Sequence, residues 1–265
     1  MTYPFDPARG VSTLRQDLTQ IGGRSAVGTQ ALARDPRDLP RRHARFRYLD
    51  REGRIADGSH VFPDTPELTE SCAAFARGTL IATKTGPVAV EDLVPGDRVL
   101  TRDHGAVPLR WIGCTPINYR GDEAQPGSLR IMANALGDRR PDTDLVLHGS
   151  ARVILRHKIC AIRHGARAAL VPARSLADGD SIIELRPLGS VELFNFAFDA
   201  HQIVTANGVE TESYHPGPQV CATLGGEVHH HLAHIFPWMG GRVELFGALA
   251  APRLTDEEAM ALSYT

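Results

Sequence analysis

Short apolar runs separated by turn residues dominate the middle of the chain. Thr79-Leu80-Ile81-Ala82-Thr83 is rich in β-formers, Lys84-Thr85-Gly86-Pro87 makes a turn, and Val88-Ala89-Val90 begins another strand. Residues 99–101, 109–112, 145–147, 152–155 and 191–198 continue the series, and His148-Gly149-Ser150-Ala151 reads as a turn. Residues 203–205 pair with Val209 across Ala206-Asn207-Gly208, because Asn-Gly between β-formers is a strong hairpin signal. Upstream, Arg45-Phe46-Arg47-Tyr48 alternates as a half-buried strand does, and residues 50–53 form a turn into a return strand over 55–62. Pro63, Pro66 and the acidic stretch 67–70 then read as a linker into Cys72, and the polar stretch 120–143 reads as a long excursion. At the other end, Thr255-Asp256-Glu257-Glu258 has N-cap character and predicts a short terminal helix. The fold class these patterns predict is all-β.

One pattern recurs. Leu93-Val94-Pro95-Gly96-Asp97 precedes Val99-Leu100, and Leu176-Ala177-Asp178-Gly179-Asp180 precedes Ile182-Ile183. Both place glycine at a tight bend and a branched or apolar pair just after it. A pseudo-twofold β-fold explains this echo better than chance.

Composition narrows the field further. With 265 residues, 42% hydrophobic and 23% charged, the chain is ordinary for a soluble globular protein, and 25 Gly with 18 Pro favour short strands and many turns. A net charge of -2 gives no global attraction to nucleic acid or anionic membrane. Residues 1–40 are rich in Arg, Asp, Gly and Pro without a sustained period, and are expected to be a basic disordered arm. Cys72, Cys114, Cys160 and Cys221 are scattered without a Cys-x-x-Cys, which offers neither a zinc pattern nor a disulfide framework. No leader and no run of about 18 apolar residues is visible, so the expected location is cytoplasmic, with leaderless secretion left open.

The chemistry centres on Cys72. A thiol can attack the carbonyl of its own preceding residue, here Ser71, and turn that amide into a thioester. The amide is the more stable bond, so the protein must twist it, stabilise an oxyanion and protonate the leaving nitrogen. Histidine is the natural donor. The alternative is that Cys72 is a small buried hydrophobe.

Cys72, the stretch Gly78-Thr79-Leu80-Ile81-Ala82-Thr83, the motif through Leu93-Val94-Pro95-Gly96-Asp97-Arg98-Val99 and the later Asp199-Ala200-His201-Gln202-Ile203-Val204-Thr205-Ala206-Asn207-Gly208 together carry a resemblance. In these the chain resembles the Hint domain, the self-processing module of hedgehog proteins and inteins, and is most similar to its bacterial stand-alone branch. Glu212-Ser213-Tyr214-His215-Pro216-Gly217 and the late Phe236-Pro237 extend the likeness. The resemblance implies a pseudo-twofold Hint-like β-fold over 72–217; the residue pattern adds a β-hairpin and linker before it (41–71) and a short helical extension after it (218–265). It also implies Cys72 as nucleophile, with Asp199 and His201 positioning or resolving the thioester.

Two departures limit that implication. The family usually has Thr-x-x-His in the middle motif, where this chain reads His148-Gly149-Ser150-Ala151. Alanine takes the expected histidine position, and His148 is the available substitute. Losing general acid catalysis slows such a step by roughly 10²–10⁴-fold. None of the four Asn precedes Cys, Ser or Thr, so splicing is not expected. Two readings remain: weak single-turnover self-cleavage at Ser71-Cys72 with the N-terminal segment as substrate, or a degenerate Hint fold kept as a structural or interaction module with a protein partner. No cofactor is expected; His230 and His234 have metal-ligand spacing if helical, but no third ligand is obvious.

Overall fold

A computed structural model describes residues 39–119, 127–158, 160, 162, 165–217 and 226–263. The basic segment expected over 1–40 lies outside them, apart from Leu39 and Pro40, and so does Cys221. The chain enters through a long hairpin, β1 (Arg41–Leu49) against β2 (Ile55–Pro63), in register from Arg41↔Pro63 to Leu49↔Ile55. Its turn is held by Asp50, whose Oδ1 accepts the backbone N–H of Glu52 at 2.9 Å and of Arg54 at 2.8 Å. Along β1 the residues 41, 43, 45 and 47 face water while Ala44 and Phe46 are buried, the two-residue period read from the sequence.

The expected linker into Cys72 is instead a helix, α1 (Pro66–Cys72). Thr65 caps it, Pro66 fills its first turn where a missing N–H costs nothing, and Glu67 meets the positive end of the dipole. Prolines mark a helix start here, not a linker. Cys72 is thus the last residue of a helix and does not open the first strand of the β-domain.

The chain then runs through β3 (Phe75–Ala76), β4 (Leu80–Thr83), β5 (Gly86–Ala89), β6 (Arg98–Thr101), β7 (Gly105–Pro108) and β8 (Trp111–Asn118). It continues through β9 (Ser128–Ile131), which falls within the expected excursion, β10 (Leu145–His148), β11 (Arg152–Arg156) and β12 (Ala168–Pro172). The last strands are β13 (Ile182–Leu185), β14 (Ser190–Ala197), β15 (Ile203–Ala206) and β16 (Val209–Glu212). Among the described residues these make two sheets, ordered β13-β9-β10-β3-β14-β8-β1-β2 and β12-β11-β16-β15-β4-β6-β7, with β5 against β4. The protein is all-β, and the entry hairpin is built into the first sheet through β1–β8 pairing.

The repeated sequence motif has a structural counterpart. A 3₁₀ turn at Val90–Asp92 leads to the Gly96 bend and β6, and a 3₁₀ turn at Ala173–Leu176 leads to the Gly179 bend and β13. Both glycines have positive φ, 101° and 77°, where a side chain would be strained. The two copies deliver their strands to opposite sheets, which is the pseudo-twofold arrangement. An Asn207-Gly208 turn joins β15 to β16 with both residues at positive φ, as a two-residue hairpin requires.

The two largest apolar cores among the described residues follow from this layout. One lies between the sheets and contains Phe75, Ile81, Leu147, Val153, Phe196 and Val204. The other lies on the outer face of β1 and β8, where α1 and the C-terminal segment pack. It joins Phe46, Phe62, Leu68, Cys72, Trp111, Tyr214, Leu232, Ile235 and Phe236. The C-terminal segment consists of α2 (Gly226–Ile235), two 3₁₀ turns and α3 (Asp256–Ser263). The α3 start is a capping box: Thr255 Oγ1 accepts from Glu258 N at 3.2 Å, and Glu258 Oε2 accepts from Thr255 N at 2.8 Å.

Candidate functional site

Four segments distant in sequence meet at one small cleft. It is lined by Glu70 of α1 and Ala73, Ala74 and Phe75 after it, by Ser150 and Ala151 before β11 and Arg152 at its start, by Asn195 of β14, and by Glu212 at the end of β16 with residues 213–215 after it. Backbone bonds fix the junction between α1 and β3 in place: Ala74 N donates to Phe194 O at 2.9 Å, and His148 N donates to Ala74 O at 2.8 Å. The Asn195 amide donates to Glu70 O at 2.8 Å. The cleft volume is about 20 Å³, room for a single water.

Cys72 does not face it. Its sulfur is buried in the second apolar core with Leu68, Trp111 and Phe236. Its polar neighbour is Ser71 Oγ at 3.4 Å, and Ser71 Oγ itself donates to Leu68 O at 2.5 Å. Burial pushes the thiol up to about 12, against a weaker lowering by the Ser71 hydrogen bond. Among the described residues, the groups that act on the thiol are Ser71 and Cys114, and no imidazole is one of them.

The other sequence candidates occupy three further environments. His148, at the end of β10, is buried, and its Nδ1 lies 2.7 Å from Ser150 Oγ. Burial, aided by Arg42 and Arg174, lowers it to about 4, so the ring is neutral at pH 7. Ser150 also hydrogen-bonds the Glu70 carboxyl, which burial raises above its ordinary value. A carboxyl, a hydroxyl and an imidazole therefore form a continuous polar chain through Ser150 Oγ. Ala151 closes the turn, its N–H donating to His148 O at 2.9 Å. Asp199 is largely exposed, with Arg110 Nε at 3.4 Å.

His201 is buried behind the cleft in a charged network. Its Nδ1 accepts from Ala250 N at 3.0 Å, which leaves the proton on Nε2, 3.3 Å from Glu212 Oε2. That Nε2 contact is too poorly aligned for a full hydrogen bond, so it counts as an electrostatic one. Glu212 also receives Arg152 at 3.2 Å and Arg253 at 3.0 Å. Burial would raise this carboxyl, but Arg253, His201 and Arg152 overcome it and hold it down at about 2. His215 completes the set: its Nε2 donates to Gly247 O at 3.0 Å and its Nδ1 accepts from Gly217 N at 2.9 Å. Arg253 reaches the network because the C-terminal segment bridges to β12, with Leu170 N donating to Pro252 O at 2.7 Å.

Residues 73–218, just over half of the chain, match the family described as Hint domain. The chain belongs to the Hint domain family. Among solved structures, the solution structure of a bacterial intein-like domain from Clostridium thermocellum is similar at 14% identity, covering 54% of this chain and 99% of that one, with a TM-score of 0.36. No curated protein matches. The matched segment begins at Ala73, one residue past Cys72.

This Hint domain has the fold of Hint-type autoprocessing, and it brings the entry junction, the middle motif and the C-terminal motif to one cleft. Of the four residues singled out from the sequence, however, none is among the residues lining that cleft. Glu70, Ser150, Arg152, Glu212, His215 and Arg253 are what sequence reasoning missed. The available signals were the Glu212-to-His215 run and the charge of Glu70 beside an apolar stretch. The role of Arg253 had no local signal at all. A wider open groove of about 840 Å³ lies across β1, β8 and β14, with Arg45, Cys114, Glu192 and Phe194 on its walls, and none of the four lines it either.

Proposed function

We propose that this Hint domain performs no acyl shift at Ser71-Cys72 and serves as a structural or interaction module for a partner protein. The placement of Cys72 carries this reading. Attack on the Ser71 carbonyl needs a thiolate, and a thiol held at about 12 is thiolate in only about one molecule in 10⁴–10⁵ at neutral pH. The bond to be broken lies in the last turn of a helix. At the cleft, where the three motifs converge, the side chains at 74 and 151 are methyl groups. Substitution of His148 for the missing histidine is not supported, because its ring is buried, neutral at pH 7 and not among the residues lining the cleft.

The test is intact-mass measurement of the full chain over days at pH 7.5, with and without hydroxylamine or a thiol. The expected result is an unchanged mass in every condition. Release of the first 71 residues, accelerated by hydroxylamine and abolished in Cys72→Ala, overturns the proposal in favour of thioester chemistry.

A further inference from the structure

Four imidazoles gather where α2 rests on the entry hairpin. His60 of β2 points its Nε2 at His231 Nδ1, 2.8 Å away, and its ring stacks on that of His234 with centroids 4.8 Å apart and planes 13° from parallel. His230 and His234 are neighbours along α2, with centroids 4.4 Å apart. His231 is buried, and the hydrogen bond it shares with His60 requires at least one of the two rings to lack a proton. Among the described residues, no three donor atoms converge as a metal ion would need.

The cluster lies at a seam that matters. Leu232 and Ile235, on the same helix, pack with Leu68 and Cys72 of α1 and with Trp111 in the second apolar core. We infer that the His60–His230–His231–His234 cluster is an acid-sensitive latch: protonating it drives α2 off the hairpin and uncovers the apolar face that carries Leu68, Cys72 and Trp111.

The charges around the seam do not cancel this effect. Glu227 on α2 favours protonation of His231, while Arg41 of β1 opposes it together with His230 and His234. Arg42, on the strand beside His60, is paired with Asp64 at 2.5 Å. Glu67 of α1 is exposed, Glu70 faces the cleft, and Arg242 and Glu244 beyond α2 are exposed. His229 lies toward Gly241. Glu227 thus offsets part of the repulsion at His231, while the charges that bear on His60 are the other three imidazoles.

The size of the effect follows from His60, which burial and its three neighbours lower to about 4. A ring at about 4 when latched and 6.5 when released shifts the opening equilibrium about 30-fold between pH 7.5 and pH 5. Solvent still reaches His60, so about 10-fold is the working figure. Hydrogen exchange on the full chain, in chelator and corrected for intrinsic pH dependence, reads this directly. Protection over 226–246 and 66–73 should fall about 10-fold from pH 7.5 to pH 5, while β8 and β14 keep theirs. His60→Gln should flatten the change; should that variant not fold, the exposed His234→Gln serves the same purpose. Protection of α2 that is independent of pH, that is lost together with β8 and β14, or that falls equally in the variants overturns the latch.

Discussion

Replacing His148 with Asn tests how much of the acid stability of this Hint domain comes from one buried ring. Asn Oδ1 occupies nearly the position of Nδ1 and still accepts from the Ser150 hydroxyl 2.7 Å away, so the substitution removes a titrating group and keeps the hydrogen bond. In the native protein His148 is held at about 4, while in the unfolded chain it returns to 6.5. Between those values the unfolded state binds the extra proton. The stabilisation is complete above pH 6.5 and is lost as pH falls toward 4. From pH 7 to pH 5 this amounts to about 2 kcal/mol for a fully buried ring. His215 acts in the same direction, and Glu70, whose carboxyl is raised by burial, acts in the opposite one. Neither is touched by the substitution, so their effects cancel in the comparison. Urea unfolding at the two pH values should show a stability drop smaller by about 2 kcal/mol in His148→Asn than in wild type. Equal drops would refute the argument, since they would mean that the ring is already solvated or charged in the folded state.

Three further outcomes are expected. Alkylation of Cys72 by iodoacetamide at pH 8, followed by peptide mapping, should be at least ~10³-fold slower in the native protein than in urea, because the thiol stands at about 12 instead of 9.0; comparable rates would remove the main support for the non-catalytic reading. Glu212→Gln leaves the half-buried Arg152 and Arg253 without their carboxylate and should cost about 2–3 kcal/mol in chemical denaturation. A cost under about 1 kcal/mol would mean that water already screens this network. Gly208→Ala places a methyl group 2.8 Å from the Arg139 carbonyl oxygen at φ 81° and should lower stability by about 1–3 kcal/mol, read as a lower Tm; an unchanged Tm would argue against that turn geometry.

Much of the β-architecture was legible because it depends on local rules. The alternation in Arg45-Phe46-Arg47-Tyr48, the Asn207-Gly208 turn and the Gly96 and Gly179 bends each report a backbone requirement met within a few residues. So does the Thr255–Glu258 cap. The helix before Cys72 was misjudged although its cap, Thr65-Pro66-Glu67, is equally local; two prolines close together outweighed it.

The site divides differently. The sequence by itself determined a pseudo-twofold β-fold, which follows from residue type and spacing, and its resemblance to the Hint domain placed an alanine, which cannot donate a proton, at residue 151. Only the tertiary structure decided where the thiol goes. Whether a cysteine is nucleophile or core depends on which way the last turn of α1 faces, and that is set by packing against Trp111 and by α2, more than 150 residues away. The same holds for Glu212, whose charge survives burial because Arg152 and Arg253 arrive from distant segments. Solvation and through-space charge fix ionisation, and neither is encoded in a local stretch of chain.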